Sequence, residues 1–309
     1  MYGHKNQTDT KQKQYKYAPF KKQFVKKDYF CKMNTQKIDI RSLSKTEISS
    51  FFVDQGNQAF RGAQVYDWLW NKGAHRFDDM TNLAKKTRIL LEDHFVINHI
   101  TIDQKQQSAD GTIKNAVRLH DGLIVESVLI PTETRTTACV SSQVGCSLDC
   151  NFCATARLKR MRNLEAAEIY DQVIAIDLES RQKYNRPLSN IVFMGMGEPL
   201  MNYNNVCKAI DMITSAEGLQ MSPKRIIVST SGIPKMIKKL ADDGVKFKLA
   251  VSLHSAITEI RNKIMPFSTN FPLSELRESL EYWYRATKSK VSYEYVVWTA
   301  ASEIGRAHV

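Results

Sequence analysis

The sequence predicts an α/β protein: a partial parallel (βα) barrel of the TIM type, preceded by a helical unit and a small β element. Three observations lead there. From about residue 136, five short β-branched runs alternate with helical stretches, the signature of βα units and a parallel sheet. Between residues 35 and 100, apolar residues recur at helical spacing instead. Between these two regions the period shortens to that of strands. In a barrel of this type functional groups gather at the C-terminal ends of the strands, so the segments following each run are where chemistry is sought.

The composition is that of an ordinary globular protein: 309 residues, 43% hydrophobic and 25% charged. A chain of this length buries a core without disulfide staples. No apolar run reaches the roughly 18 residues of a membrane-spanning helix. The first thirty residues are rich in Lys, Gln and Tyr and contain no apolar core of a secretory signal, so a cytoplasmic location is expected. The formal charge is +12 with a pI near 9.3, and residues 1–32 alone contribute nine Lys against two Asp. Such a charge favours a polyanionic partner without identifying one.

Residues 1–32 have like charges and no sustained apolar period, and are expected to be a disordered basic leader. Met33 opens the protein-like pattern, so the leader is read as translated upstream sequence, with a basic RNA-binding arm as the alternative. Residues 33–98 form the helical unit. Ser44 and Thr46 precede Glu47 and the apolar Ile48, Phe51 and Phe52; Val65, Trp68 and Leu69 fall on one face of a second helix that ends at Gly73; a third helix runs near 82–95. Residues 99–135 form the small β element, in which Asp121-Gly122 between two β-rich runs marks a hairpin. Strands are expected at 137–141, 190–194, 225–229, 248–253 and 293–298, with helices at 163–182, 203–216, 233–242 and 273–287. The barrel then spans 136–298.

Six cysteines occur, and Cys139, Cys146, Cys150 and Cys153 crowd into fifteen residues. Clustering of this kind points to metal or thiol chemistry rather than to a disulfide framework. Cys146, Cys150 and Cys153 are spaced C-x3-C-x2-C. Three thiolates so placed can hold three irons of a cubane cluster and leave the fourth open to a ligand. A structural zinc wants four protein ligands, and no His lies nearby to complete a tetrahedron; a zinc site borrowing a distant fourth ligand is the bland alternative.

This spacing, directly after the first strand of a βα series, resembles the radical S-adenosylmethionine enzymes. Cys139-Val140-Ser141-Ser142-Gln143-Val144-Gly145 runs into the cysteine motif, Gly195-Met196-Gly197-Glu198-Pro199 follows the second strand, Ser229-Thr230-Ser231-Gly232 the third, and Ser252-Leu253-His254 the fourth. Together they resemble the RlmN/Cfr family of RNA methyltransferases, in its RlmN branch, over residues 34–298. The resemblance implies five of the six strands of a radical-SAM barrel. It also implies transfer of a methyl-derived carbon to C2 of an adenine in 23S rRNA and in tRNA. C8 methylation by the related resistance enzymes is the enzymatic alternative, and a non-catalytic metal-binding RNA module the alternative of another class.

Carried over to this sequence, the resemblance makes Cys146, Cys150 and Cys153 ligands of a 4Fe-4S cluster. S-adenosylmethionine, two molecules per turnover, would chelate the open iron. Gly197 and Glu198 would take its methionine part, and Ser229, Ser252, Leu253 and His254 its ribose, adenine or carboxylate. Glu126 would be the base that removes the C2 proton, as a partly buried carboxylate with a raised pKa. Cys139 would resolve a protein–RNA adduct by forming a disulfide. The family also implies an electron donor such as flavodoxin or ferredoxin, and a monomer. It further has a sixth strand bearing an Asn, and a methyl-carrying cysteine near the C-terminus; no residue here matches either, Cys31 and Cys207 having the wrong context. Residues 299–309 are read as an artefactual tail on a truncated chain that lacks the carrier and is therefore inactive in turnover.

Overall fold

Helix punctuation in the sequence is legible in the first third of the molecule. The computed structural model describes residues 37–297. The expectations for the leader, for Cys31 and Met33, and for Trp298 and the tail lie outside the described residues. Strand β1 (Ile38–Asp39) pairs in parallel with β2 (Phe95–Val96) and closes the N-terminal helical unit. Within it, α1 (Lys45–Asp54) begins at Ser44, whose hydroxyl and Glu47 cap each other reciprocally. Helix α2 (Phe60–Trp70) and α3 (Lys85–His94) follow. Their apolar faces bury Phe52, Val65, Leu69, Leu91 and Phe95 together. Arg41 ties the unit onward: it is buried and donates to Asp171 Oδ1 at 2.7 Å.

Three antiparallel strands come next: β3 (Thr101–Gln107), β4 (Ile113–Arg118) and β5 (Ile124–Pro131). The hairpin marked by Asp121-Gly122 joins β4 to β5, with Leu119 N–H donating to Leu123 O across a five-residue loop and Gly122 at φ +82°. Strand β3 is not legible in the sequence because its Lys and Gln residues alternate with almost nothing apolar. The β element does not stand apart from the barrel. Strand β5 pairs antiparallel with β6 (Thr136–Cys139), which starts the βα series, so one eight-stranded sheet runs through both.

The series proceeds through β7 (Gln143–Val144) and β8 (Arg162–Asn163), a small antiparallel pair, to α4 (Ala166–Tyr184), β9 (Asn190–Phe193), α5 (Tyr203–Thr214), β10 (Ile226–Thr230) and α6 (Pro234–Asp242). It ends with β11 (Lys248–Ser252), α7 (Thr258–Ile264), α8 (Leu273–Thr287) and β12 (Val291–Glu294). The sheet order is β12-β11-β10-β9-β6-β5-β4-β3, and the five strands β6, β9, β10, β11 and β12 are mutually parallel. This is the partial barrel, with five parallel strands. Two elements differ from expectation. Strand β12 starts earlier and is finished by Glu294, and α7 with the 3-10 turn Pro266–Asn270 fills a stretch for which no helix was predicted. Ala138, Ile191, Phe193, Val228, Leu249 and Val251 are buried with Ile169, Val173, Val206, Ile213, Ile237 and Leu240 of the covering helices. Among the described residues no helix is long and apolar enough to cross a membrane.

Candidate cofactor and catalytic site

Register decides which side chains share the inner face of the barrel. Cys139 lies opposite Val128 on one side and Val192 on the other; Val192 lies opposite Ile227, Ser229 opposite Ala250, and Ser252 opposite Glu294. Side chains alternate along each strand, so Glu126, Cys139, Ser229, Ser252 and Glu294 all project from the face opposite the buried Val125, Ala138, Val228 and Leu249. A cavity of about 220 Å³ opens at the C-terminal ends of these strands. Cys146, Cys150 and Cys153 line it together with Phe152, Gly197, Glu198, Ser229, Ser252, His254 and Glu294. The site is thus assembled from five successive strand ends.

The cysteine loop is braced from two sides. Cys146 N–H donates to Leu158 O at 3.3 Å, and Asn151 N–H to Ile264 O at 2.9 Å. Asp149 Oδ1 accepts from Phe267 N–H at 2.8 Å, and Leu148 and Cys150 pack on Ile264, Met265 and Phe267. Burial pushes the Cys146 thiol up and the Cys150 thiol up to about 12, with the neighbouring thiols adding to the effect. All five cysteines among the described residues are free. Among those residues no trio of His, Cys, Asp or Glu closes on a single metal ion. A cubane cluster does not ask for that, because each thiolate binds a different iron. Three thiols at one end of a cavity, facing polar groups suited to an amino acid and a ribose, fit a 4Fe-4S cluster with S-adenosylmethionine.

The Gly195–Glu198 loop is pressed against the chain that leads into the cysteines. A Cβ on Gly197 would lie 2.4 Å from Gln143 Cβ, and φ there is +94°. The glycine therefore admits Gln143, in addition to the close approach of a cofactor expected of it. Gln143 Oε1 accepts from Glu198 N–H at 2.9 Å. The Glu198 carboxylate is 2% exposed and accepts from Thr230 Oγ1, Ser231 N–H and Leu200 N–H at 2.7–3.0 Å. Burial raises its pKa against these hydrogen bonds. The Ser231 hydroxyl adds to these, so the two carboxylate oxygens are close to their capacity of about four hydrogen bonds.

The other expected contacts are distributed unevenly. Ser229 Oγ and Ser252 Oγ donate to the same oxygen, Glu294 Oε2, at 3.0 and 3.1 Å. The Leu253 side chain turns away, into a separate outer groove with Leu273 and Leu276, so only its backbone serves the site. His254 adopts φ +57° and is 8% exposed. Its Nδ1 accepts from Val296 N–H at 3.1 Å, which leaves the proton on Nε2. Nε2 is buried and has no hydrogen-bond partner among the described residues. Burial, aided by the Arg261 charge, lowers the His254 pKa to about 4, so the ring is neutral. It meets Phe152 edge-on, with ring centroids 4.3 Å apart.

Glu126 and Cys139 lie outside the cavity lining, on the inner face beside it. Glu126 departs from expectation: its side chain is 51% exposed and pairs with Lys114 at 2.9 Å, because its strand face has no covering helix. Cys139 is half-buried; burial, with the Glu294 charge, pushes its thiol up to about 11. Two functional side chains are not among those that the sequence singles out. Glu294 carries a weak signal, a carboxylate at the end of a β-rich run. Arg261 carries none: it is 1% exposed and donates to Ser252 O and Ser231 O at 2.8 Å, and also to Leu253 O.

Comparison with known proteins matches residues 38–97 to the ribosomal RNA large subunit methyltransferase N-terminal domain, and residues 140–299 to the radical SAM superfamily. A probable dual-specificity RNA methyltransferase RlmN from Flavobacterium johnsoniae is 76% identical over 88% of this chain and 78% of that protein. Another from Christiangramia forsetii is 70% identical over 87% of this chain and 77% of that protein. A dual-specificity RNA methyltransferase RlmN from Geotalea uraniireducens is 43% identical over 85% of this chain and 74% of that protein. The crystal structure of a radical SAM methyltransferase from Sphaerobacter thermophilus superposes with a TM-score of 0.79 at 35% identity, covering 86% of this chain and 79% of that one.

Proposed function

The chain belongs to the RlmN family of radical S-adenosylmethionine RNA methyltransferases, and on that premise we propose how its own residues divide the work of placing a methyl-derived carbon on C2 of an adenine in 23S rRNA and in tRNA. The observation that carries the reading is the convergence of three thiols, the buried Glu198, two serines and an unpartnered His254 N–H on one cavity at the barrel mouth. A 4Fe-4S cluster and S-adenosylmethionine are the cofactors, and when bound they supply a one-electron route to a carbon that no polar displacement attacks well.

Cys146, Cys150 and Cys153 would hold three irons as thiolates, releasing their protons when the cluster binds. The Glu198 carboxylate would pair with the ammonium of the methionine moiety, a charge-assisted contact stronger than the hydroxyl contacts it would displace. Gly197 keeps that carboxylate in place by letting its loop lie against Gln143. His254 Nε2–H donates to an acceptor on the cofactor and moves no proton. Glu126, reachable from solvent on the inner face, accepts the C2 proton once its pairing with Lys114 opens. Cys139, on the same face, would act as the thiolate that forms a disulfide with the carrier sulfur as its bond to the RNA-bound carbon breaks; no described residue supplies that carrier, and burial holds the Cys139 thiol at about 11, so it is protonated at rest. A flavodoxin- or ferredoxin-class donor, a monomeric state and a cytoplasmic location complete the proposal.

The test is anaerobic reconstitution. The wild-type chain is expected to bind about four irons and four sulfides, and its reduced-cluster spectrum to change on addition of S-adenosylmethionine. Cys146→Ala, Cys150→Ala and Cys153→Ala should each lose the cluster. Full iron loading and cofactor cleavage in any one of them would overturn the ligand set.

A further inference from the structure

Glu294 lines the cavity beside Ser229 and Ser252, and neither the Gly-Glu loop nor the cysteines explain it. Its backbone oxygen accepts from Leu253 N–H at 3.1 Å and His254 N–H at 3.0 Å, which fixes the residue against the turn after β11. Its side chain lines the cavity. Oε2 is committed to the hydroxyls of Ser229 and Ser252. No hydrogen bond to Oε1 is made among the described residues. A carboxylate held in this way by two hydroxyls is an acceptor waiting for donors. Each serine oxygen also keeps lone pairs of its own.

The donors that suit it are the two hydroxyls of a ribose. A vicinal diol offers two O–H groups that a carboxylate accepts well, as the acidic residue of dinucleotide folds does with a ribose hydroxyl. Charge-assisted hydrogen bonds of this kind are roughly twice as strong as neutral ones. Building on the proposed cofactor site, we infer that Glu294 is a cofactor-binding residue whose carboxylate, braced by Ser229 and Ser252, takes the ribose diol of S-adenosylmethionine. The neighbours agree: Glu198 lies close enough to Cys146 and Cys150 to act on their charge, whereas Glu294 is bonded to Ser229, Ser252 and the His254 N–H, so the two carboxylates serve different parts of the lining. Burial raises the Cys139 thiol pKa, and the Glu294 charge adds to that.

The experiment uses the anaerobically reconstituted protein and measures equilibrium binding of S-adenosylhomocysteine and of its 2′-deoxy and 3′-deoxy analogues. Glu294→Ala is expected to weaken S-adenosylhomocysteine by about tenfold or more, in line with the loss of a hydrogen bond to a charged group. In the wild type at least one deoxy analogue should bind about tenfold more weakly than the parent ligand, and in Glu294→Ala that discrimination should vanish. Glu294→Gln preserves the shape and is the control for folding; it should keep its iron content while losing part of the discrimination. Equal weakening of all three ligands in Glu294→Ala would overturn the inference and make Glu294 a purely structural brace. Unchanged affinity in either variant would overturn it as well. A wild-type chain that assembles no cluster and binds no S-adenosylhomocysteine would instead defeat the site proposal beneath it.

Discussion

His254 shows how a single residue can be tuned by its surroundings. It is a non-glycine in the left-handed region, a conformation that costs roughly 1–2 kcal/mol and persists only where contacts on every side enforce it. Here the Val296 N–H, the Phe152 ring and the Glu294 carbonyl oxygen, which accepts from His254 N–H at 3.0 Å, do so. Its folded-state pKa lies near 4, below the ordinary value of 6.5, so the unfolded chain takes up a proton first as the pH falls. Stability is therefore unaffected above pH 6.5 and is lost progressively from about 6.5 down to about 4, by up to roughly 3 kcal/mol. Urea unfolding of the cluster-free protein at pH 7.5, 6 and 4.5 should show this fall. His254→Asn tolerates the left-handed backbone and does not titrate, and its profile should be flatter over that window; an identical slope in both would refute the assignment. Gly197 is a second position where backbone decides. A methyl group there meets Gln143 at 2.4 Å with φ at +94°, so Gly197→Ala should cost about 2–4 kcal/mol in unfolding experiments and weaken cofactor binding alongside.

Among the elements, α7 contributes most to the site for its size. It has seven residues, yet Arg261 on it reaches the carbonyl oxygens at the ends of both β10 and β11, and Ile264 carries the cysteine loop. Strand ends leave backbone oxygens without ladder partners, and buried oxygens need donors. A planar guanidinium serves three of them at once, which an ammonium does not. Arg261→Leu is expected to lower stability by about 3 kcal/mol or more, since it strands three carbonyls in a buried setting. Arg261→Lys should recover only part of the loss. Thermal melts of both variants, with iron content after reconstitution, decide this; a wild-type melting temperature in Arg261→Leu would contradict it.

For the whole molecule, the relevant property is where positive charge meets the barrel mouth. The loop that follows the cysteines carries Arg157, Lys159 and Arg160 on its surface, with Leu158 53% and Met161 63% exposed among them. Its backbone is tied to the cysteine loop through Cys146 and Val144, which keeps the segment beside the cavity. An RNA that presents a base to the cavity is expected to meet this loop, because Cys146, to which the loop is bonded, lines the cavity. Replacing Arg157, Lys159 and Arg160 together by Gln should weaken RNA binding and flatten the dependence of log affinity on log salt by about 2, at roughly 0.7–0.9 for each phosphate no longer neutralised. Cluster assembly should be unaffected. Filter-binding titrations between 50 and 200 mM salt, as a rough range in which such charges are felt, provide the check.

The order and kind of the main elements are written locally. Capping at Ser44, the apolar face of α2, the Asp121-Gly122 turn and the five β-branched runs are governed by the residues that carry them, and so are legible in the sequence. The three cysteines are legible for the same reason, because their chemistry depends on spacing along a short loop. Strand β3 and helix α7 are hidden for opposite reasons. Strand β3 is so polar that only its pairing with β4 makes it a strand, and α7 is too short to show a period. Which residues meet is a matter for the tertiary structure. That Glu294 receives two serines from neighbouring strands follows from register, and register is a property of pairs of strands. The exposure of Glu126 is settled in the same way: alternation says only that it faces opposite to Val125, and the position of the helices says which face is covered. Local chemistry resides in one stretch of chain, whereas burial, charge environment and the geometry of a site depend on segments that the fold alone brings together.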